Sequence, residues 1–260
     1  MKKIPDGKQW AEKLARFLSE GRRTNFYSRA EAFFSEAKQL SEMEFDGGCY
    51  LFHEKENQID LYFFLEKEAK PEKLPALHKP LVLEQVAAAK NPPNLADWAT
   101  AGFERYLQRK RLFLSAAKTA AEERTVTFAA AEEAEEILGR MEQAFEPYTS
   151  ALPDLETLKK DLVENRVIAC REGEKLLGFL RFGREKKVSV LWQIVVLPEG
   201  RGRGIGNGLV RDWIAWERAD AAKFQLWVRE DNPSALKLYE ALGFLPDGRI
   251  APVMLKKEHI

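Results

Sequence analysis

Apolar residues recur every three or four positions at Trp10, Leu14, Phe17 and Leu18, and again at Phe26, Ala30, Phe33, Phe34 and Ala37. That period predicts two amphipathic helices at the start of the chain. In "GGCYLFHEKENQIDLYFFLEKE" the pattern changes, and the stretch reads as two strands around the polar turn Glu54–Gln58, with "PLVLEQVA" as a further short strand. "NPPNLADWATAGFERYLQRKRLFLSA" predicts a Pro-led, Asn-capped short helix that stops at Gly102, followed by an extended tail.

From Thr125 the order of elements begins afresh. Strand "TVTFA" leads to helix "AEEAEEILGRMEQAFE", a loop with Pro147, Tyr148 and Pro153, and helix "DLETLKKDLVEN" with Asp154 as its N-cap. "RVIACREGEKLLGFLRFGREKKVSVLWQIVVLPE" predicts three strands, turning at Glu172–Glu174 and at Arg184–Lys187. Helix "IGNGLVRDWIAWERAD", strand "KFQLWVRE", helix "PSALKLYEALG" and a closing hairpin through Asp247 and Gly248 complete the chain. Strands alternating with helices in this way predict an α/β fold, a mixed α+β sheet with helices on its faces. The fresh start predicts two domains, a smaller α+β domain at 1–120 and a second at 125–260. Between them, "AAKTAAEER" at 116–124 is polar and helix-compatible, so it reads equally as a tether or as the end of a packed element.

Composition narrows the function classes. In 260 residues, 41 basic and 41 acidic side chains cancel, so no global field draws the chain to nucleic acid or to a membrane surface. No nucleic-acid or membrane partner is therefore expected, and any basic site must be local. Cys49 and Cys170 are too few for a disulfide framework and sit in apolar segments, where buried thiols are expected. Charges interrupt the apolar residues of the N-terminus, and no run of about 18 apolar residues occurs anywhere. A soluble, cytoplasmic protein is therefore expected. His53, His78 and His259 are scattered without ligand spacing, so no metal is assigned.

The densest chemistry lies in "LPEGRGRGIGNGLVRDWIAW", residues 197–216. A strand ends at Leu197 and Pro198, glycines interleaved with arginines follow, and Ile205, Leu209, Trp213 and Trp216 then fall on one helix face. A strand, glycine loop and helix N-terminus in this order leave first-turn N–H groups without intrahelical partners, with the positive end of the helix dipole beside them. That is an anion site, and phosphate is its natural occupant. No GK[ST] follows, which excludes a P-loop, and Ile-Gly-Asn stands where the third glycine of a dinucleotide fingerprint belongs.

Arg201, Gly204 and Gly206 spell RxxGxG, and "EDNPSALKLYEALGF" follows some 25 residues later. With these two blocks, the stretch from about Thr125 to Lys257 resembles the GCN5-related N-acetyltransferase (GNAT) family. The resemblance implies the GNAT acyl-CoA N-acyltransferase fold in the C-terminal half, with acetyl-CoA as cosubstrate. It implies that the loop formed by Arg201, Gly202, Arg203, Gly204, Ile205, Gly206 and Asn207 cradles the pyrophosphate. Val195, Val196 and Leu197, together with Asn232 and Ala235, then border the pantetheine arm. It also implies a β-bulge at Ile194–Val196, with the Val196 N–H as oxyanion donor. Tyr239 stands at the family's usual acid, which protonates the leaving thiolate.

One element of the pattern is missing. Where many relatives carry a glutamate base on the strand before the loop, this chain has Trp192 and Gln193, and Glu199 lies beyond the Pro turn on the phosphate side. Water or a residue of the Tyr148 loop could take the proton, or a weakly basic acceptor needs no base. The acceptor is expected against the Phe145–Leu155 loop, and Trp192, Trp213, Trp216 and Trp227 read as core. In the first half, "WATAGFERYLQRKRLFL" echoes "YEALGFLPDGRIAPVML", yet no glycine-rich loop follows Phe64. The half is either a degenerate second GNAT-like copy or an unrelated α+β domain. The implied activity is transfer of acetyl from acetyl-CoA to a primary amine of a small molecule or peptide, directly in a ternary complex. The alternative is a non-catalytic acyl-CoA-binding module.

Overall fold

The computed structural model describes residues 1–4, 7–27, 39–119 and 122–257. The chain forms two compact units, one of Met1–Gln108 with Arg249–Ile260, the other of Arg109–Gly248. Each therefore contains the end of a strand that begins in the other. The sequence-based division at 1–120 and 125–260 is linear, whereas these units interleave.

In the first unit, helix α1 (Gly7–Ser19) buries Trp10, Leu14 and Phe17. Leu18 falls at the edge of that face and is half exposed. The strands are β1 (Lys2–Lys3), β2 (Arg23–Thr24), β3 (Leu40–Phe45), β4 (Gly48–Glu54), β5 (Ile59–Leu65), β6 (Leu81–Glu84) and β7 (Ala87–Ala88), followed by helix α2 (Ala96–Thr100) and β8 (Glu104–Ser115). β3, β4 and β5 pair antiparallel. β5 and β6 are parallel, but only at Ile59↔Leu81 and Asp60↔Val82. β6 then pairs antiparallel with Val253–Lys256 of the last strand, β13 (Leu245–Lys256).

Past those two parallel pairs the strands are joined through one side chain. The Asn25 amide donates to the carbonyls of Leu61 and Glu84, both at 2.9 Å, and its Oδ1 accepts from Phe63 N–H at 2.9 Å. Next to it, β2 pairs with Phe64 and Leu65 of β5. The chain thus wedges its own segment into the opening between β5 and β6, which satisfies backbone groups that the sheet leaves unpaired.

The second unit holds α3 (Ala134–Ala144), α4 (Leu155–Val163), β9 (Val167–Glu172), β10 (Lys175–Glu185), β11 (Val188–Val196), α5 (Ile205–Glu217), β12 (Lys223–Arg229) and α6 (Pro233–Ala241). β9, β10 and β11 pair antiparallel. β11 and β12 are parallel from Val188↔Lys223 to Leu191↔Leu226, and β12 pairs antiparallel with Arg109–Ser115 of β8. The sequence of pairings is the one found in the first unit. Both faces of this sheet are covered. On one, Leu209, Val210 and Trp213 of α5 pack on Leu180, Phe182, Phe224 and Leu226; on the other, Ile137, Met141, Leu158 and Leu162 pack on Phe179 and Val195. Trp213 keeps its indole N–H satisfied by Ser189 Oγ at 2.9 Å.

Several expectations need correction. "TVTFA" is a single bridge, Phe128↔Ile168, rather than a strand. The closing hairpin is one continuous strand, β13, because its second half finds β6 as a partner; Gly248 bends it with a positive φ of 79°. β3 carries no clear alternation and was not foreseen. Of the second amphipathic helix, Phe26 lies buried in non-helical chain after β2, and positions 28–38 lie outside the described residues. At 116–124, a 3-10 turn spans Ala116–Lys118, and Arg124 and Glu122 pair with Asp212 and Arg211 of α5. Ala120 and Ala121 are outside the described residues, yet both flanks are packed rather than free tether. Among the described residues, no helix is long and apolar enough to cross a membrane.

Gly178 of β10 sets how closely α5 approaches the sheet. A Cβ there would lie 2.7 Å from the Val195 carbonyl oxygen, 3.2 Å from Ile205 and 3.3 Å from Leu209. Gly178→Ala is expected to destabilise the protein by about 1–3 kcal/mol through overpacking. Urea unfolding reads this directly, and an unchanged midpoint would refute the close approach.

Candidate active site

β11 is the hinge of the site. It pairs with β12 only as far as Leu191, then stays with β10 up to Val196, while β12 continues along β8 as far as Arg229. The two parallel strands therefore separate from Trp192 onward. The register with β10 passes from Arg181↔Gln193 to Phe182↔Leu191, so Trp192 is the extra residue of a β-bulge. The expected bulge at Ile194–Val196 is thus displaced to Trp192, where the parallel pairing ends. Room for it comes from Gly183, since a Cβ there would lie 2.0 Å from the Trp192 ring.

Beyond the bulge, Leu197 N–H donates to Leu177 O on β10 at 2.9 Å. Donors alternate sides along an extended strand, so the Val196 N–H faces the opening instead. α5 starts directly afterwards. Gly202 and Gly204 hold φ of 73° and 75°, a left-handed conformation that costs other residues strain, and Gly204 is the N-cap with no side chain capping the helix. Gly208 N–H is bonded to Gly204 O at 3.0 Å; the donors of the turn before it remain for a ligand.

A cavity of about 730 Å³ fills the opening. Val195, Val196, Asn232, Ala235 and Tyr239 are among its walls, which brings five of the expected residues together. Leu197 and the loop residues Arg201 to Asn207 are not among its walls; they follow on from the end of β11. Arg203 is held by Glu172 through Nη2–Oε1 at 2.6 Å and Nη1–Oε2 at 3.3 Å. Asn207 accepts from Arg211 at 2.8 Å. Asn232 caps α6 by accepting from Ala235 N–H at 3.0 Å, which leaves its NH₂ available to the cavity.

Residues 138–244 match the model of the Acetyltransferase (GNAT) family. This stretch is a GNAT domain. An uncharacterized N-acetyltransferase of Methanocaldococcus jannaschii is 30% identical over 95 residues, 34% of this chain and 41% of that protein. The chain spans about half or less of the length of the curated relatives it matches. Among solved structures, a GCN5-related N-acetyltransferase from Sphaerobacter thermophilus superposes with a TM-score of 0.66 at 14% identity, over 99% of this chain and 95% of that one. A tandem GNAT protein from the clavulanic acid biosynthesis pathway gives a TM-score of 0.57 at 11% identity, over 100% of this chain and 98% of that one. These likenesses are of fold, and they extend through the whole chain.

Within the GNAT domain, Tyr239 is buried, its ring edge-on to Phe244 at 5.7 Å. Burial pushes its phenol above the ordinary range, so it is protonated at neutral pH. Gln193 is not poised to hold a water. Its Oε1 accepts from Arg181 Nη1 at 2.9 Å and its Nε2 donates to Ser150 O at 3.0 Å. Arg181, also in the cavity wall, pairs with buried Asp161 at 2.5 Å and lies 4.4 Å from the Trp192 ring centroid. No local sequence pattern announces this Asp161–Arg181–Gln193 strut, because its members come from three elements.

Trp192 and Trp227 line the cavity rather than the core, and Trp216 is 47% exposed; only Trp213 of the four is core. Glycine inside the strand, at Gly183, was the available signal for Trp192. Glu146 also faces the cavity, where burial raises its carboxyl, but hydrogen bonds from Thr149, the Tyr148 and Thr149 amides and Ser150 outweigh burial and hold it below the ordinary range. A carboxylate so satisfied is a poor base. Because its folded pKa is depressed, the stability it gives the 146–150 loop is full at neutral pH and is lost as the pH falls through that lowered value. Glu199 pairs with Lys175 at 3.2 Å, away from the cavity walls.

Cys49 is buried, and burial pushes its thiol up to about 12, whereas Cys170 is only partly buried. His53 and His78 bond separately to Gln39 and Glu54, and His259 is outside the described residues. Among the described residues no three His, Cys, Asp or Glu side chains are grouped to hold a metal ion.

Proposed function

We propose that this protein is an acetyl-CoA-dependent N-acetyltransferase, acting on a primary amine of a small molecule or peptide by direct transfer in a ternary complex. The observation that carries this reading is the opening between β11 and β12, with an uncapped helix N-terminus at its end and Val196 and Tyr239 in its walls. The residues present fit the cosubstrate: glycines with positive φ beside free first-turn donors suit a pyrophosphate, and the splayed strands suit a pantetheine arm. Bound acetyl-CoA would supply the acyl group as a thioester.

The chain's own residues do the rest. Arg201 and the amides of Ile205, Gly206 and Asn207 bind phosphate oxygens. The Val196 N–H donates to the carbonyl oxygen as negative charge develops there. As the new C–N bond forms and the C–S bond breaks, Tyr239 donates its proton toward the sulfur. The amine's proton passes to water, since the carboxylates along the cavity are held by other donors. A reducing, cytoplasmic setting agrees with both cysteines being free. We read the first unit as a degenerate copy of the second, since its strands pair in the same sequence; its opening is closed by Asn25, so it takes no pantetheine.

Calorimetry with acetyl-CoA is expected to give one site per chain. Arg201→Ala with Arg203→Ala should weaken it roughly ten-fold, mostly through Arg201, because Arg203 is already committed to Glu172. Unchanged affinity would remove the phosphate assignment. The missing carboxylate base favours a second reading, a non-catalytic acyl-CoA-binding module, which predicts binding without turnover.

A further inference from the structure

The first unit holds a cavity of its own, about 290 Å³, lined by Arg23, Phe63, Leu65, Gln85, Asp97 and Trp98. It lies beside the Asn25 wedge, and its size is at the lower end of the roughly 300–1,000 Å³ of small-molecule sites. Gln85 is 7% exposed, and its Nε2 has no hydrogen-bond partner among the described residues. A buried donor left without a partner is costly, and a ligand oxygen would relieve that cost.

Two opposite charges face the same cavity. Arg23 donates to the Ala69 carbonyl, and the Asp97 carboxylate accepts a long bond of 3.4 Å from Asn94. Neither stands in an ion pair with a described residue. Trp98 and Phe63 meet in a tilted contact, 4.9 Å between centroids and 46° between ring planes, and offer an apolar, aromatic wall. A cation, an anion, a buried donor and an aromatic wall around a small volume match a compact zwitterion with an apolar part. They do not match a coenzyme, whose arm the Asn25 wedge excludes.

We propose that this cavity binds a free α-amino acid. Arg23 takes the carboxylate, Asp97 the ammonium group, Gln85 Nε2 an oxygen of the ligand, and Trp98 its side chain. The site is separate from the acyl-transfer cavity and stands whether or not the transferase reading holds.

The test is calorimetry of the full chain against each common L-amino acid, then against the N-acetyl and carboxamide derivatives of the tightest binder. Saturable binding is expected for at least one amino acid. It should weaken at least roughly ten-fold on blocking either end, and likewise in Arg23→Met and in Asp97→Asn. Arg23 is exposed and Asp97 partly exposed, so thermal midpoints should match the parent and separate lost binding from lost folding. No saturable binding up to millimolar concentration would overturn the proposal. So would a binder indifferent to both variants, which would be occupying another site.

Discussion

Tyr239→Phe is expected to lower kcat by about 100-fold or more, with acetyl-CoA affinity and folding stability nearly unchanged. The hydroxyl makes no hydrogen bond to a described residue, and the ring, not the oxygen, packs against Phe244. Deleting the oxygen therefore leaves the core as it was. Its chemical effect is large because burial keeps the proton on the phenol across the working pH range. A thiolate leaving into the same low-dielectric cavity is destabilised as an anion and gains basicity, which favours accepting that proton. Stopped-flow or steady-state kinetics separates the two parameters. A normal kcat in Tyr239→Phe would make Tyr239 a packing residue and move the proton to solvent.

Asp161→Asn is expected to cost about 3–5 kcal/mol of folding stability, the largest effect of any single change considered. Asp161 and Arg181 are 3% and 6% exposed, and Arg181 reaches Asp161 Oδ2 through Nη2 at 2.5 Å and Nε at 2.7 Å. The substitution leaves a guanidinium buried against a neutral amide. It also loosens Gln193, which holds the carbonyl of Ser150 at the cavity rim, so the KM for the amine should rise with it. Replacing both partners together, Asp161→Leu with Arg181→Met, should recover much of the lost stability, because no charge is then left unpaired. Urea unfolding of the single and double variants checks the pair. A loss under about 1 kcal/mol in the single variant would mean that the pair behaves as a solvated one.

What was legible in the sequence is what is encoded locally. Helices α1, α3, α4, α5 and α6 follow from apolar residues at three- and four-residue spacing, and Asp154 and Asn232 cap as their side chains dictate. The glycine loop was legible because positive φ at Gly202 and Gly204 and a helix start need only neighbouring residues. Longer-range facts were not. That the second half of β13 pairs with β6 rather than turning back at Asp247 and Gly248 depends on a strand more than 150 residues earlier. The buried strut joins α4, β10 and β11, and nothing near Asp161 marks it as other than a polar position on an amphipathic helix. The bulge was expected near the right end of β11, but its place was fixed by where the parallel pairing with β12 stops and by the space over Gly183. The wedge at Asn25 likewise depends on two strands separating, which no local pattern announces.

The central claim is acyl transfer at the opening between β11 and β12. Its most direct test is thiol release from acetyl-CoA by the purified full-length protein, measured against a broad panel of primary amines with a no-amine blank. The expected result is release that depends on at least one amine, yields the N-acetyl product and falls steeply in Tyr239→Phe. Tight acetyl-CoA binding with no amine-dependent release across the panel would contradict it and leave a binding module in its place.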